Sequence, residues 1–213
     1  MATATLLSIQ IGTTKTYTDK QGTWKTSFFK EAVSGPKFVE LSGVVGDSQT
    51  NKVHHGGPEK AVLMYSADHY PAWQAELEQE FVFGGFAENL TVSNLDENSV
   101  FIGDIFNIGT MRLQVTQARQ PCAKIARRWG IPDLTKQVLK TGRTGWYCRV
   151  LQTGTVTAGD GVELIERVNP SWTVARALET YTHWKENVSA LQELATLPGL
   201  SSDWLEEINA RLA

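Results

Sequence analysis

A mainly β fold with a small helical tail is what the sequence predicts, and three observations predict it. From Leu6 to about Val168 the apolar runs are strand-sized and rich in β-branched residues. Most are bounded by Gly, Asn, Asp or Ser, the residues that make tight turns. After Asn169-Pro170 the β-branched alternation stops and helical spacing takes over. Many short strands at this spacing fit a barrel or a sandwich, and no β-α-β alternation supports a doubly wound sheet. The expected division is residues 1–168 for the β-rich domain and 169–213 for a three-helix extension.

The strand candidates, in order, are Leu6–Ile11, Val39–Val45, Lys60–Tyr65, Asn89–Val92, Asp104–Ile108, Met111–Gln117, Trp146–Leu151 and Val162–Arg167. Two or three helices interrupt them. Ala67–Gln79 has Asp68 near its start and Pro71 in its first turn, where a missing N–H costs nothing. Ala123–Trp129 and Asp133–Lys140 are closed by Gly130 and Gly142. In the tail, Thr173–Thr180, Asn187–Ala195 and Ser202–Leu212 read as short amphipathic helices, with Ser202-Asp203 as a cap region and Trp172, Trp184 and Trp204 as packing anchors. Each is too short to be stable alone, so the three are expected to pack together or on another surface.

Composition narrows the function. A chain of 213 residues buries roughly 70% of the surface its extended form exposes, enough for a core without a metal or disulfide. Twenty basic against 23 acidic side chains give a net charge of −3, with no global field for nucleic acid or anionic lipid. No apolar run approaches the roughly 18 to 20 residues of a membrane span, and the first residues lack a signal peptide's basic and apolar regions. Two cysteines, Cys122 and Cys148, cannot make a four-cysteine zinc site or iron-sulfur cluster. A cytoplasmic protein with reduced thiols is expected.

The segment richest in chemistry is Arg119-Gln120-Pro121-Cys122-Ala123-Lys124-Ile125-Ala126-Arg127-Arg128-Trp129. It puts a thiol between a strand and a short helix, where peptide dipoles and Arg119, Lys124 and Arg127 favour the thiolate needed for nucleophilic attack or for a soft metal. The same spacing has a plainer reading, because Cys122, Ile125, Ala126 and Trp129 fall on one helical stripe suited to a core. Lys52-Val53-His54-His55-Gly56-Gly57-Pro58-Glu59-Lys60 has the composition of a loop that lets backbone approach an anionic or polar ligand, or of a solvated turn. Glu88-Asn89-Leu90-Thr91, after Phe83-Gly84-Gly85-Phe86, suits either a heterocycle edge or the capping of a turn. In Trp146–Leu151 alternation puts Cys148 on a face with Trp146 and Val150, and Tyr147 with Arg149 on the other. Arg143, between glycines, could clamp a phosphate or stand in water.

Taken in order, these segments resemble the MOSC domain family, in its YiiM-like bacterial branch. The resemblance rests on Gly46-Asp47, His55-Gly56-Gly57 with Lys60-Ala61-Val62 and Tyr65, Glu88-Asn89-Leu90-Thr91, Gly103-Asp104, Arg119-Gln120-Pro121-Cys122, Gly142-Arg143-Thr144-Gly145-Trp146-Tyr147 and Gly159-Asp160. The helical tail is similar to that branch's three-helix extension. Two positions depart from the family pattern, with Ala87 where glycine is usual and Ala118 where proline is usual.

The resemblance implies a MOSC-type β-barrel binding a molybdenum cofactor, with Cys122 as the thiolate ligand of molybdenum. Lys30, Arg119, Lys124, Arg127 and Arg143 become candidates for the pterin phosphate. Asn89 and His55 are candidates for the pterin edge or substrate, His54, Thr91 and Tyr147 join the cofactor set, and His54, His55 and Tyr147 could relay protons. The implied activity is reduction of N-hydroxylated substrates, such as 6-hydroxylaminopurine and amidoxime-like compounds, to amines. With no dinucleotide fingerprint and no cluster-forming cysteines, an external electron-donating reductase is expected, and a homodimer is a further expectation. Two other classes stay open: a molybdopterin or sulfur carrier that uses Cys122 without reductive catalysis, and an interaction module with Cys122 in its core.

Overall fold

The computed structural model describes residues 3–50 and 56–213. Among them are thirteen strands and six α-helices. Eight strands form one sheet: β1 (Thr5–Ile11), β4 (Glu31–Val33), β7 (Val62–Ser66), β8 (Leu90–Ser93), β9 (Ile105–Ile108), β10 (Met111–Ala118), β11 (Trp146–Gln152) and β13 (Val162–Glu166). Their order is β13-β9-β10-β11-β7-β8-β1-β4, with β7 and β8 parallel and every other neighbour antiparallel. A hairpin of β2 (Lys15–Asp19) and β3 (Gly22–Thr26) stands apart, and β12 (Gly154–Val156), β5 (Lys37–Glu40) and β6 (Gly43–Val44) make a small third sheet.

This sheet-dominated fold agrees with the mainly β expectation, but the large sheet does not close into a barrel. Its edges are β13 and β4. The reason lies in β1, whose outer edge is divided: Ile9–Ile11 pair with β4, while its start meets the turn before β13 and that strand's first residue through Leu6 N to Asp160 O (2.9 Å), Gly159 N to Leu6 O (2.7 Å) and Val162 N to Ala4 O (2.9 Å). The expected strand Val39–Val45 is also corrected. It breaks at a turn into β5 and β6, and Gly43, at φ 121°, lies where a Cβ would stand 2.5 Å from the Ala61 carbonyl oxygen. The polar hairpin β2–β3 and the short β4 and β12 escaped a reading built on apolar runs.

Helix α1 (His69–Leu77) takes Pro71 in its first turn as expected, but Asp68 leaves it uncapped and instead accepts from Asn94 N at 3.1 Å. Helices α2 (Lys124–Trp129) and α3 (Leu134–Thr141) end on left-handed Gly130 and Gly142. These three helices and the 81–87 loop enclose an aromatic cluster containing Tyr65, Tyr70, Trp73, Phe81 and Phe86, with Tyr65 and Phe86 stacked at 4.6 Å.

The tail helices are α4 (Val174–Thr182), α5 (Val188–Ala195) and α6 (Ser202–Leu212). They are capped by Thr173, Asn187 and Ser201, whose side chains accept from Arg176 N, Ala190 N and Trp204 N. The cap of the last helix is thus one residue ahead of the expected Ser202-Asp203. The tail shares the sheet's main core: Trp172, Leu191, Leu194, Trp204 and Ile208 belong to the same buried cluster as Ile102, Leu113 and Val115. Backbone bonds from Ile102 N to Trp172 O (2.9 Å) and from Val174 N to Val100 O (2.8 Å) fasten the junction. No helix among the described residues is long and apolar enough to cross a membrane.

Because tail and sheet share one core, removing its largest side chain there destabilises both. Trp204→Ala is expected to cost about 3–5 kcal/mol. Chemical denaturation should show one transition at a lower midpoint, and two separate transitions in the wild type would contradict the shared core.

Candidate functional site

β10 ends at Ala118, and Arg119 makes a last ladder-like bond from its N–H to Gly145 O at 3.0 Å. Pro121 has no N–H to continue it, so the chain leaves the sheet and turns into α2, with Cys122 at the bend. The Cys122 carbonyl accepts from Ile125 N (3.1 Å) and Thr135 Oγ1 (3.3 Å). Both readings of its spacing hold at once. Cys122 packs at the border of the aromatic cluster with Ile125, Ala126 and Trp129, and it also lines a cavity open to solvent. Cys148 is different: burial pushes its thiol up, and its nearest partner is Met64 Sδ at 3.6 Å.

Among the described residues four cations line the cavity, Lys30, Lys60, Arg119 and Lys124, and no carboxylate does. Two of them are compensated by acids outside the lining. Lys30 is ion-paired with the buried Asp47, and burial still pulls its ammonium below the usual lysine range. Lys60 donates to Asp203 at 2.9 Å. Arg119 is only 2% exposed, gives Nη2 to Phe86 O at 3.2 Å, and has a buried Nη1 with no hydrogen-bond partner among the described residues. An uncompensated buried guanidinium is costly unless an anion completes it. Burial pushes the Tyr147 phenol above its ordinary value, while the neighbouring Arg119 pulls the other way. Phe28, Leu63 and Ala87 give the cavity an apolar wall, and Thr26, Ser27, Ser48 and Thr50 supply hydroxyls.

Of the residues singled out by sequence, Cys122, Lys30, Asn89, Arg119, Lys124 and Tyr147 line this cavity. Asn89 has little left to offer a ligand: Oδ1 accepts from Leu63 N (3.1 Å) and Nδ2 donates to Asp47 Oδ2 (2.9 Å). Three others lie elsewhere. Thr91 is buried between Glu88 and Gln10. Arg127 grips the hairpin, donating to both Asp19 oxygens at 2.6 and 2.9 Å and to Gly22 O at 2.7 Å. Arg143 pairs with Glu76 and lies 4.8 Å over the Trp73 ring. In each case a nearer acceptor has claimed the group. His54 and His55 lie outside the described residues.

Glu88 explains why its segment resembled a binding motif. Its buried carboxylate accepts from Gly84 N (2.6 Å), Phe86 N (3.1 Å), Thr91 Oγ1 (3.0 Å) and the Tyr70 hydroxyl, pinning the glycine turn whose far side reaches the cavity. Burial and this carboxylate push the Tyr70 phenol well above its ordinary value. Sequence reasoning did not single out Lys60, although its lysine-bearing loop was readable as an anion-binding one. Nothing in the sequence pointed to the hydroxyls of 26–27 and 48–50, which converge only through folding.

Ala87, where the family pattern has glycine, adopts φ 66° on the cavity wall. A left-handed alanine costs about 1–2 kcal/mol, of which glycine's extra freedom when unfolded returns roughly half. Ala87→Gly is therefore expected to raise stability by about 0.5–1 kcal/mol and the melting temperature by about 2 °C. A lowered melting temperature would show that the Ala87 methyl contributes packing that outweighs the strain.

Two family models match the chain, the MOSC domain over residues 51–163 and the YiiM-like 3-alpha helix domain over 172–213. The sequence is 35% identical over 199 residues to the YflK protein of Bacillus subtilis, covering 93% of this chain and 90% of that one. It is 37% identical over 177 residues to a protein of Gibberella moniliformis named Reductase, covering 81% of this chain and 31% of that much longer one. The crystal structure of YiiM from Geobacillus stearothermophilus superposes with a TM-score of 0.83 at 33% identity, covering 99% of this chain and all of the other.

Proposed function

Since the chain belongs to the MOSC domain family, in its YiiM-like form, we propose that the Cys122 cavity holds a molybdenum cofactor used to reduce N-hydroxylated compounds to amines. The observation that carries this reading is the buried Arg119 guanidinium, with Nη1 unpartnered among the described residues, in the same cavity as a half-buried thiol. A pterin-phosphate group carrying a soft metal asks for that combination: an anion site and a sulfur donor facing one space.

Cys122 would supply the protein's thiolate to the metal. Arg119 and Lys124, the two lining cations with no carboxylate partner among the described residues, would take the phosphate, with Lys30 and Lys60 adding field from their compensated positions. When bound, the metal centre supplies a two-electron reductant that can take oxygen from an N–OH group. The net reaction consumes two electrons and two protons and yields the amine and one water. Phe28 and Leu63 keep that side of the cavity apolar. Tyr147 stays protonated at neutral pH, since burial raises its phenol, so it can donate a hydrogen bond to a substrate oxygen.

The electrons would come from a separate reductase. Cys148 is sealed in the core and Cys122 is committed to the cavity, which leaves no thiols for a cluster. The Gibberella moniliformis relative named Reductase extends well beyond the segment this chain matches, which is 31% of it.

Protein made in a molybdenum-sufficient host should carry molybdenum and pterin in near-equal amounts, and Cys122→Ser should lower the metal content by at least about tenfold. Wild-type turnover by a cofactor-loaded Cys122→Ser variant would rule out the mechanism. Loaded protein with NADH alone should give no turnover, and adding a reduced viologen dye should restore amine formation from 6-hydroxylaminopurine. A protein that binds the pterin yet stays inactive with the dye would be a carrier instead.

A further inference from the structure

Helix α6 reaches the cavity without lining it. Asp203 and Glu207 are four residues apart and so share a face, and that face meets the two segments that build the site. Asp203 accepts from Lys60 at 2.9 Å, and Ser202 N donates to Glu59 of the same turn at 2.8 Å. Glu207 Oε2 accepts from Gln120 Nε2 at 2.9 Å and from the Tyr181 hydroxyl at 2.6 Å. Gln120 lies two residues ahead of Cys122. The segment is held at its start by Arg119 N to Gly145 O and at its end by the bonds to the Cys122 carbonyl. Between these anchors Pro121 has no N–H to give, and the Gln120 side chain, charge-assisted by a carboxylate, supplies the tether.

The geometry assigns Glu207 the part of a positioning residue: through Gln120, the last helix of the extension sets where the Cys122 thiol stands in the cavity. The extension is then a component of the site rather than an appendage beside it. This rests on the reading of Cys122 as the cavity's sulfur donor, but its test needs no cofactor.

The test is the rate at which iodoacetamide alkylates Cys122 in folded, cofactor-free, full-length protein, read by peptide mass. Glu207→Ala and Gln120→Ala should each accelerate Cys122 modification about fivefold, the factor one such hydrogen bond is worth. The double variant should be no faster than either single one, as two ends of one contact require. Glu207→Gln, which keeps an acceptor oxygen, should stay within about twofold of wild type, and Cys148 should stay unmodified throughout, reporting an intact core. Wild-type rates in both alanine variants, or single effects that multiply in the double variant, would overturn the assignment. Absence of molybdenum from the purified wild-type protein would defeat the cofactor reading and leave the alkylation result standing.

Discussion

Charge compensation at the Cys122 cavity is the constraint around which this structure is arranged. A low-dielectric wall tolerates cations only when each finds a counter-charge or enough acceptors. Lys30 and Lys60 find theirs in Asp47 and Asp203, neither of which lines the cavity. Arg119 finds a single carbonyl, and one of its terminal nitrogens is left facing no partner among the described residues. The fold therefore leaves at this cavity a buried guanidinium that the proposed anion would complete.

The scaffolding follows from that requirement. Asp47 serves three groups at once, the Lys30 ammonium, the Asn89 amide and Gly12 N, and so joins the start of the sheet to the strand that follows Glu88. Glu88 plays the matching part on the aromatic side, where four donors satisfy a fully buried carboxylate. Each acid is buried only because its hydrogen bonds are complete. Together they hold the glycine turn, the β8 entry and the cavity floor in one arrangement, which is what a preformed binding site needs.

The tail extends the same logic. Trp172 and Trp204 bury their rings in the core that the sheet supplies, while Asp203, Glu207 and Ser202 N reach polar groups of the site segments. Short helices that would fray alone are stabilised by this packing, and in return they place charge and acceptors where the sheet has none. The β face of β11 shows the division of roles: Cys148 turns inward to the core, while Tyr147 faces the cavity and Arg149 reaches Glu59 and the tail carbonyls of Gly199 and Leu200.

Much of this was legible in the sequence by itself. Most of the strand-sized β-branched runs, the glycine stops after Trp129 and Thr141, and the change to helical spacing after Asn169-Pro170 depend on local backbone preferences, and the structure keeps them. Alternation sufficed to bury Cys148, and the position of Cys122 between strand and helix was enough to nominate it. What only the tertiary structure decided was the fate of each polar side chain. Arg127 and Arg143 looked as available for an anion as Arg119, until Asp19 and Glu76 arrived from 108 and 67 residues away to claim them. That the sheet stays open was likewise settled by how β1 divides its edge between two partners. Local propensity acts over a few residues, whereas the compensation of charge is decided by whichever distant segment the fold brings within 3 Å.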